Sequence, residues 1–127
     1  MTKFFFSYLF LVIIGMPVLH AQEHRVQASD KPIEYKQPDG TVTTILLKGD
    51  ENIHWAETSD GYTLLSNAVT KGWEYGKKDC KGNLILSGKI AHNPDARKKM
   101  ELKFLKKIGK GLKYSDAQIQ ERLNNKI

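Results

Sequence analysis

Short segments rich in β-branched and aromatic residues alternate with glycine-containing turns through the middle of the chain. The turns recur roughly every 8 to 12 residues, a spacing typical of antiparallel strands joined by hairpins. They lie at Asp39-Gly40, Lys48-Gly49, Asp60-Gly61, Lys71-Gly72, Lys81-Gly82 and Ser87-Gly88. Between them the pattern predicts strands at residues 33–37, 41–48, 53–57, 62–67, 73–77 and 84–86. We therefore expect a small antiparallel β-meander.

The hydrophobic pattern becomes helical after Asn93 and Pro94. Proline suits the first helical position and asparagine is a suitable cap before it, so we predict that a helix begins there. Apolar residues then recur three and four positions apart, at Met100, Phe104, Leu105 and Ile108. Gly109 and Gly111 follow this stripe and are expected to end the helix.

A second short helix is predicted to begin at Ser115. Gln118 lies three residues further on and completes a capping-box pattern, while Ile119 and Leu123 form an apolar stripe. Together the two patterns predict an α+β fold, in which a small antiparallel β-meander is followed by one or two C-terminal helices.

The first 21 residues have the order of a secretory signal peptide. Lys3 precedes an apolar run over residues 4–19, and the small residue Ala21 follows. The run is about 16 residues long, shorter than the roughly 20 that a spanning helix needs, so we expect cleavage after Ala21. An uncleaved anchor is the alternative, because Leu19 is larger than the residue usually found three positions before a cleavage site. Residues 22–31 are then a flexible N-terminal segment of a secreted or periplasmic protein.

The formal net charge of +6 over 127 residues first suggests a polyanionic partner. Residues 22–94 hold nine basic and ten acidic side chains, whereas residues 95–127 hold ten basic and four acidic ones. We therefore divide the exported chain into a nearly neutral β module at 32–94 and a basic helical tail at 95–127. Export makes a nucleic acid an unsuitable partner. The tail either lies on an anionic membrane surface or packs its apolar stripe on the sheet, with its lysines in solvent.

Motifs for catalysis are missing from the sequence. His24, His54 and His92 form neither a His-Glu-x-x-His helix motif nor a pair at zinc-ligand spacing. The Gly-x-Ser-x-Gly pattern of a nucleophile elbow does not occur either. We expect no catalytic residues and no cofactor.

Two local features remain as candidate sites. Cys80 follows Asp79 and has lysines nearby, and cations near a thiol favour the thiolate, which serves as a nucleophile or a metal ligand. The alternative is an exposed thiol in a hairpin turn. Trp55 is either a core residue or, together with Trp73 and Tyr75, part of a patch that recognises a peptide or a glycan.

Several ordered motifs give the chain a resemblance to a known family. They are Gln37-Pro38-Asp39-Gly40-Thr41, Leu47-Lys48-Gly49-Asp50-Glu51, His54-Trp55, Thr58-Ser59-Asp60-Gly61-Tyr62 and Ser87-Gly88-Lys89-Ile90-Ala91-His92-Asn93-Pro94. In order and spacing, and with the aromatic pair Trp73 and Tyr75, they resemble the N-terminal prosegment of secreted bacterial zinc metallopeptidases related to immune inhibitor A. The resemblance spans residues 32–112.

The resemblance implies a prodomain, a small β-rich unit that assists folding of the protease or covers its cleft until proteolysis removes it. The peptidase domain of that family carries an extended His-Glu-x-x-His motif, which this sequence lacks, so we expect no enzyme activity. We predict a secreted inhibitor or folding assistant of a zinc metallopeptidase, or the remnant of a truncated gene. Activation cleavage is expected in the basic linker, at Arg97, Lys98, Lys99, Lys106 and Lys107.

Such a prodomain can block a zinc cleft in two ways. It lays a strand or loop along the substrate groove through backbone pairing, or it places a thiolate or carboxylate on the metal, for which Asp79 and Cys80 are the candidates. Two other functions stay open. One is an envelope module that binds a peptide or glycan through Trp55, Trp73 and Tyr75, and the other is a peripheral membrane protein that uses the basic helix.

Overall fold

The structure, a computed structural model, describes residues 31–125. Its strands are β1 Ile33–Lys36, β2 Val42–Gly49, β3 His54–Glu57, β4 Thr63–Ser66, β5 Trp73–Lys78 and β6 Leu84–Ile90, and its α-helices are α1 Lys99–Ile108 and α2 Asp116–Asn124. The predicted α+β class is confirmed. The predicted signal peptide, its cleavage site after Ala21 and residues 22–30 lie outside the described residues.

The sheet is a six-stranded meander in which each strand pairs antiparallel with the next. Strand β2 pairs with β1 along its first half, where Ile45 faces Ile33, and with β3 along its second half, where Leu47 faces Ala56. Strand β2 is therefore an interior strand of the sheet. The turn chemistry explains the meander, because the tight turns between neighbouring strands join antiparallel strands directly.

The sheet curls so that the β1–β2 hairpin reaches β5. Gln37 is only 2% exposed, and its Nε2 donates to the carbonyl oxygens of Trp73 and Ala91 at 2.9 and 3.0 Å. Its Oε1 accepts from the Trp73 backbone N–H at 2.9 Å. Thr43 Oγ1 also donates to the Ala91 carbonyl oxygen at 2.9 Å. These bonds satisfy buried polar groups and tie strands that are distant in sequence.

Strand β6 is longer than the pattern predicts. The sequence places a turn at Ser87-Gly88, but the strand continues through Gly88 to Ile90. The pairing of β5 with β6 shifts register between Glu74 and Gly76, and Gly88 has a positive φ of 82°. The Gly88 N–H donates to Glu74 Oε1 at 2.8 Å. The glycine therefore marks a β-bulge, which uses the same left-handed conformation as a turn and resembles one in sequence.

The first helix begins later than predicted. Residues Pro94–Ala96 form one 3-10 turn, Arg97 is extended with φ −84° and ψ 139°, and α1 starts at Lys99. The Arg97 side chain reaches the sheet, and this contact accompanies the interruption of the helix. The predicted end is correct, since Gly109 caps α1 with a φ of 81°.

The capping box of the second helix is confirmed. Ser115 Oγ accepts from the Gln118 backbone N–H at 3.2 Å, and Gln118 Oε1 accepts from the Ser115 N–H at 2.9 Å. The predicted apolar stripe packs only partly, since Ile119 is half-buried and Leu123 is 41% exposed. Within residues 31–125, no helix has the length and apolar character required to cross a bilayer.

The core lies between the sheet and α1. Its buried members are Ile45, Ala56, Leu64, Tyr75, Ala91 and Leu105. Because side chains alternate along a strand, Thr63 and Leu64 lie on opposite faces of β4. Leu64 belongs to the core beside α1, whereas Thr63 Oγ1 donates to the Leu112 carbonyl oxygen at 2.8 Å. The basic tail therefore packs on both faces of the sheet: α1 on the core face and the segment after it on the opposite face, here called the back face.

Candidate functional site

Charged and polar side chains from separate turns meet at the start of α1. We call this group the His92 clamp; it consists of Asp39, Asp60, Tyr75, His92, Arg97 and Glu101. Asp39 lies in the β1–β2 turn, Asp60 in the β3–β4 turn and Glu101 on α1. The clamp therefore joins two hairpin turns, one core strand and the helix.

His92 lies between two carboxylates. Its Nε2 is 2.7 Å from Asp39 Oδ2, and its Nδ1 is 2.9 Å from Glu101 Oε1. Both ring nitrogens donate to these acceptors when the imidazole is protonated. Burial lowers the pKa of His92, but the hydrogen bonds to Asp39 and then Glu101 outweigh burial and raise the pKa above 6.5. The site therefore favours the imidazolium.

Arg97 forms the second ion pair of the clamp. Its Nη1 and Nη2 donate to the two oxygens of Asp60 at 2.6 and 2.8 Å, a bidentate arrangement. The Arg97 side chain is 3% exposed and that of Asp60 is 29% exposed. The guanidinium also lies 5.2 Å from the Tyr62 ring and 5.9 Å from the Tyr75 ring. This buried arginine is paired, as a buried charge must be.

Tyr75 links the two ion pairs. Its hydroxyl donates to Glu101 Oε2 at 2.6 Å and accepts from Arg97 Nε at 3.2 Å and from the His92 backbone N–H at 3.0 Å. Burial, and after it the hydrogen bond to Glu101, raises the pKa of Tyr75 well above its ordinary value. The phenol therefore keeps its proton and acts as a fixed donor.

The two aspartates are held as anions. Hydrogen bonds from the Thr41 side chain and then from His92 lower the pKa of Asp39 to about 2. The hydrogen bonds from Arg97 outweigh burial and lower the pKa of Asp60 to about 2. Both carboxylates are therefore ionised above pH 4, and each is bonded to a cation.

The chemistry of the clamp is that of a structural joint. A general base needs a free acceptor at a titrating group, and the oxygens of Asp39 and Asp60 already accept hydrogen bonds from the clamp cations and from neighbouring threonines. In residues 31–125 no group of three or more His, Cys, Asp or Glu side chains is placed to hold a metal ion. The arrangement instead fixes α1 against the hairpin turns.

The structure places the three predicted recognition aromatics in different surroundings. Tyr75 is fully buried in the core and in the clamp. Trp73 packs edge-on against Tyr35, with ring centroids 6.4 Å apart. Trp55 lies on the back face, where Lys113 Nζ is 4.5 Å from the ring centroid. Trp55 and Trp73 are both partly exposed and both line one cleft, whereas Tyr75 is enclosed.

Asp79 and Cys80 lie in the β5–β6 turn. Asp79 Oδ1 accepts from the backbone N–H groups of Lys81 and Asn83 at 2.8 and 2.9 Å. These bonds build the hairpin turn and occupy one of the two carboxylate oxygens. Cys80 is a free and exposed thiol.

Of the five predicted cleavage residues, one has a buried side chain and four have exposed side chains. Arg97 belongs to the clamp, whereas Lys98, Lys99, Lys106 and Lys107 are exposed. Cleavage at these residues stays a prediction.

The apolar stripe of α1 is turned toward the sheet. Leu105 is buried in the core, and Phe104 and Ile108 pack against it. Met100 was predicted to belong to this stripe, but it is 76% exposed because it lies at the first turn of α1 and away from the core; Leu102 is 49% exposed. The predicted membrane contact would therefore depend on these two residues and the surrounding lysines.

Comparisons with protein-family models, with curated proteins and with solved structures gave no match. The resemblance to a metallopeptidase prosegment therefore stays a prediction.

Sequence reasoning missed two members of the clamp and one buried polar residue. The sequence pattern predicts a cleavable linker at Arg97 and does not single out Glu101. Glu101 is the one acidic residue between Arg97 and Lys113, and this isolation is the signal that could have singled it out. Gln37 was part of a quoted motif, but its role at the junction of β1 and β5 follows from contacts that no local pattern reveals.

Proposed function

We propose that this protein is a secreted, non-catalytic, prodomain-like protein that inhibits a zinc metallopeptidase or assists its folding. One observation carries the proposal. The motifs that resemble the prosegment contribute Asp39, Asp60 and His92, and the quoted aromatic pair contributes Tyr75; these residues meet in one clamp. Their ordered succession along the chain then has a physical reason, because together they hold α1 on the sheet and make one folding unit.

Inhibition through backbone pairing requires an accessible sheet edge. The edges of this sheet are β1 and β6. Along β6, the N–H groups of Leu84, Gly88 and Lys89 are bonded to side chains. Strand β1 is exposed along most of its length, with Ile33 40% exposed. We therefore assign β1 as the strand that would lie along the substrate groove of the peptidase.

Metal capping is the rival mode of inhibition. It would depend mainly on the exposed Cys80 thiol, because Asp79 is engaged in the turn. The double variant Asp79→Asn, Cys80→Ser separates the modes: inhibition through β1 is expected to be unchanged in this variant.

The test uses the purified exported chain and a zinc metallopeptidase of the immune inhibitor A type from which its own prosegment has been removed. We expect peptidase activity to fall as the protein is added, or the yield of active peptidase to rise when the two are refolded together. Ile33→Lys places a charge on the β1 edge and should weaken the effect at least about tenfold. Val69→Lys is the matched control, because Val69 is 90% exposed in the β4–β5 turn. Absence of both effects at a large molar excess would refute the proposal.

A peptide-binding function in the envelope is the second candidate. It is favoured by the position of Trp55, whose ring contributes to a cleft on the back face. This function needs no peptidase, so a binding assay with peptides alone separates it from the first.

A further inference from the structure

A cleft of about 500 Å³ lies on the back face between the sheet and the end of the basic tail. The side chains that matter for its chemistry are His54, Trp55, Leu65, Leu86, Tyr114 and Arg122. None of them belongs to the His92 clamp. The cleft therefore needs a separate explanation.

The walls of the cleft are fixed to the sheet at two points. Tyr114 Oη donates to the His54 carbonyl oxygen at 3.1 Å, at the start of β3. Gln118 Oε1 accepts from the Leu84 N–H at 2.8 Å, and its Nε2 donates to the Leu84 carbonyl oxygen at 2.9 Å, at the start of β6. These bonds hold α2 and the residue before its cap in place, so the cleft exists before any ligand enters it.

The floor of the cleft is apolar and accessible. Leu65 is partly exposed on β4, and Leu86 is 38% exposed on β6. Trp55 is partly exposed on β3 and forms one wall. A concave surface with aliphatic and aromatic walls and a few fixed polar groups is typical of a binding site for a small apolar group.

The charged group of the cleft is Arg122. Its guanidinium carbon lies 3.9 Å from the centroid of the Tyr114 ring. Stacking uses the flat face of the guanidinium and leaves its edge N–H groups for hydrogen bonds in the plane. Within residues 31–125, no carboxylate lies at ion-pair distance from Arg122. A stacked arginine of this kind matches the bidentate geometry of a carboxylate.

We propose that this cleft binds an apolar peptide segment that carries a carboxylate. The carboxylate accepts hydrogen bonds from Arg122, and the adjacent apolar side chain packs between Trp55 and the leucines of the floor. Lys113, whose Nζ is 4.5 Å from the Trp55 ring, lies on the same surface, but its charge is offset by Glu57 Oε2 at 4.0 Å. Arg122 therefore selects the carboxylate, and the apolar floor selects its hydrophobic neighbour. The inference deepens the second candidate function, peptide binding at the Trp55 cleft, and does not rest on the proposed inhibition of a peptidase.

The test measures binding of one short peptide in two forms by calorimetry and by tryptophan fluorescence. The probe is acetyl-Leu-Val-Leu-Phe with a free C-terminal carboxylate, and the comparison is the same peptide with a C-terminal amide. We expect the acid to bind at least about tenfold more tightly than the amide, because one charge-assisted bidentate contact is lost in the amide. Arg122→Gln should remove this preference, and Arg122→Lys should restore only part of it.

The controls separate the cleft from general electrostatics and from loss of structure. Lys106→Gln removes one positive charge from the exposed side of α1 and should leave both affinities unchanged. Leu86→Glu introduces a negative charge on the floor of the cleft without altering α2, and it should weaken the acid more than the amide. Circular dichroism and thermal unfolding establish that each variant is folded.

Three outcomes would overturn the inference. Equal affinity for the acid and the amide would remove the role of a carboxylate, and an unchanged preference in Arg122→Gln would remove the role of this residue. Saturable binding of decanoate without binding of the peptide would assign the cleft to a fatty acid. None of these outcomes bears on the peptidase experiment, since no peptidase is present.

Discussion

His92 and Arg97 are the two cations that hold α1 against the hairpin turns. Each is bonded to a carboxylate, and each also contacts Tyr75 or the backbone next to it. Removing one partner of such a pair costs more than the pair itself contributes, because the remaining charge stays partly buried without compensation. The clamp is therefore expected to be sensitive to single substitutions.

Arg97→Gln is predicted to lower the free energy of unfolding by about 3 kcal/mol. It leaves Asp60 and the Tyr75 hydroxyl without the guanidinium that now bonds to both. Urea unfolding followed by circular dichroism measures the loss. Lys99→Gln is the control, since Lys99 is exposed, and it should change stability by less than about 0.5 kcal/mol. An equally small change in Arg97→Gln would contradict the structural role of the clamp.

His92 makes stability depend on pH in a defined direction. Its pKa is raised above 6.5 in the folded state, so its contribution is fully present below pH 6.5 and is lost as the pH rises through the raised pKa. The Tm difference between the wild type and His92→Gln should therefore be largest near about pH 6 and narrow toward about pH 9. His54→Gln, at an exposed position, serves as the control. A difference that grows with pH would show that the imidazolium is not the stabilising form.

Acid affects the same clamp through its aspartates. The pKa values of Asp39 and Asp60 are lowered from 3.8 to about 2, so their contribution is present above pH 3.8 and is lost as the pH falls toward 2. Together with His92, these shifts place the most stable window of the clamp between about pH 4 and pH 6.5.

The turns between strands differ in how much space they leave, although they share a backbone conformation. Gly40 and Gly49 both have a φ of 90°. A Cβ at Gly40 would meet no atom within 4 Å, whereas a Cβ at Gly49 would clash with the Ile53 carbonyl oxygen and lie 2.9 Å from the His54 Cα. The β2–β3 turn therefore requires glycine both for its positive φ and for lack of space, whereas the β1–β2 turn requires it for the positive φ alone.

Gly40→Ala is predicted to lower the free energy of unfolding by about 1 kcal/mol, the cost of a left-handed conformation for an L residue. Gly49→Ala should cost at least about 1 kcal/mol more, because backbone atoms must move to relieve the clash. Thermal and urea unfolding of the two variants give the comparison. Equal losses would mean that the β2–β3 turn adjusts freely.

The helical tail is an integral part of the molecule. Leu105 is a core residue, Gly111 N–H donates to the Gly61 carbonyl oxygen at 3.0 Å, and Ser115 Oγ donates to Asn83 Oδ1 at 2.6 Å. Cleavage after the lysines of α1 therefore requires local unfolding of the tail. A prodomain of this design would control its own removal through the stability of the clamp.

Limited digestion with trypsin tests this coupling. Arg97→Gln is expected to accelerate cleavage after Lys98, Lys99 and Lys106 at least about tenfold, because local opening becomes easier. Lys81, exposed in the β5–β6 turn, provides an internal control whose cleavage rate should stay the same. Mass spectrometry identifies both products in one experiment. Unchanged cleavage within α1 would mean that the clamp does not hold the tail.

Local patterns were sufficient for the strands, the meander and the cap of α2. Alternation, turn glycines and the pair Ser115 and Gln118 act over a few residues, so their consequences can be read without a structure. Local patterns gave wrong predictions at two places. At Gly88 they predicted a turn, because a β-bulge and a turn use the same left-handed conformation. At Pro94 they predicted the start of a long helix, but the chain forms a single 3-10 turn there.

The sequence by itself determined the α+β class, the order of the strands and the asymmetry of charge between the β module and its tail. Only the tertiary structure decided that His92 meets Asp39 and Glu101, that Arg97 is buried, and that Arg122 stacks at a cleft. The physical reason is the separation along the chain of the residues that interact. Hydrogen-bond patterns of turns and helices are set by neighbours in the chain, whereas the clamp and the cleft join residues whose proximity depends on the curl of the sheet and the path of the tail over both of its faces.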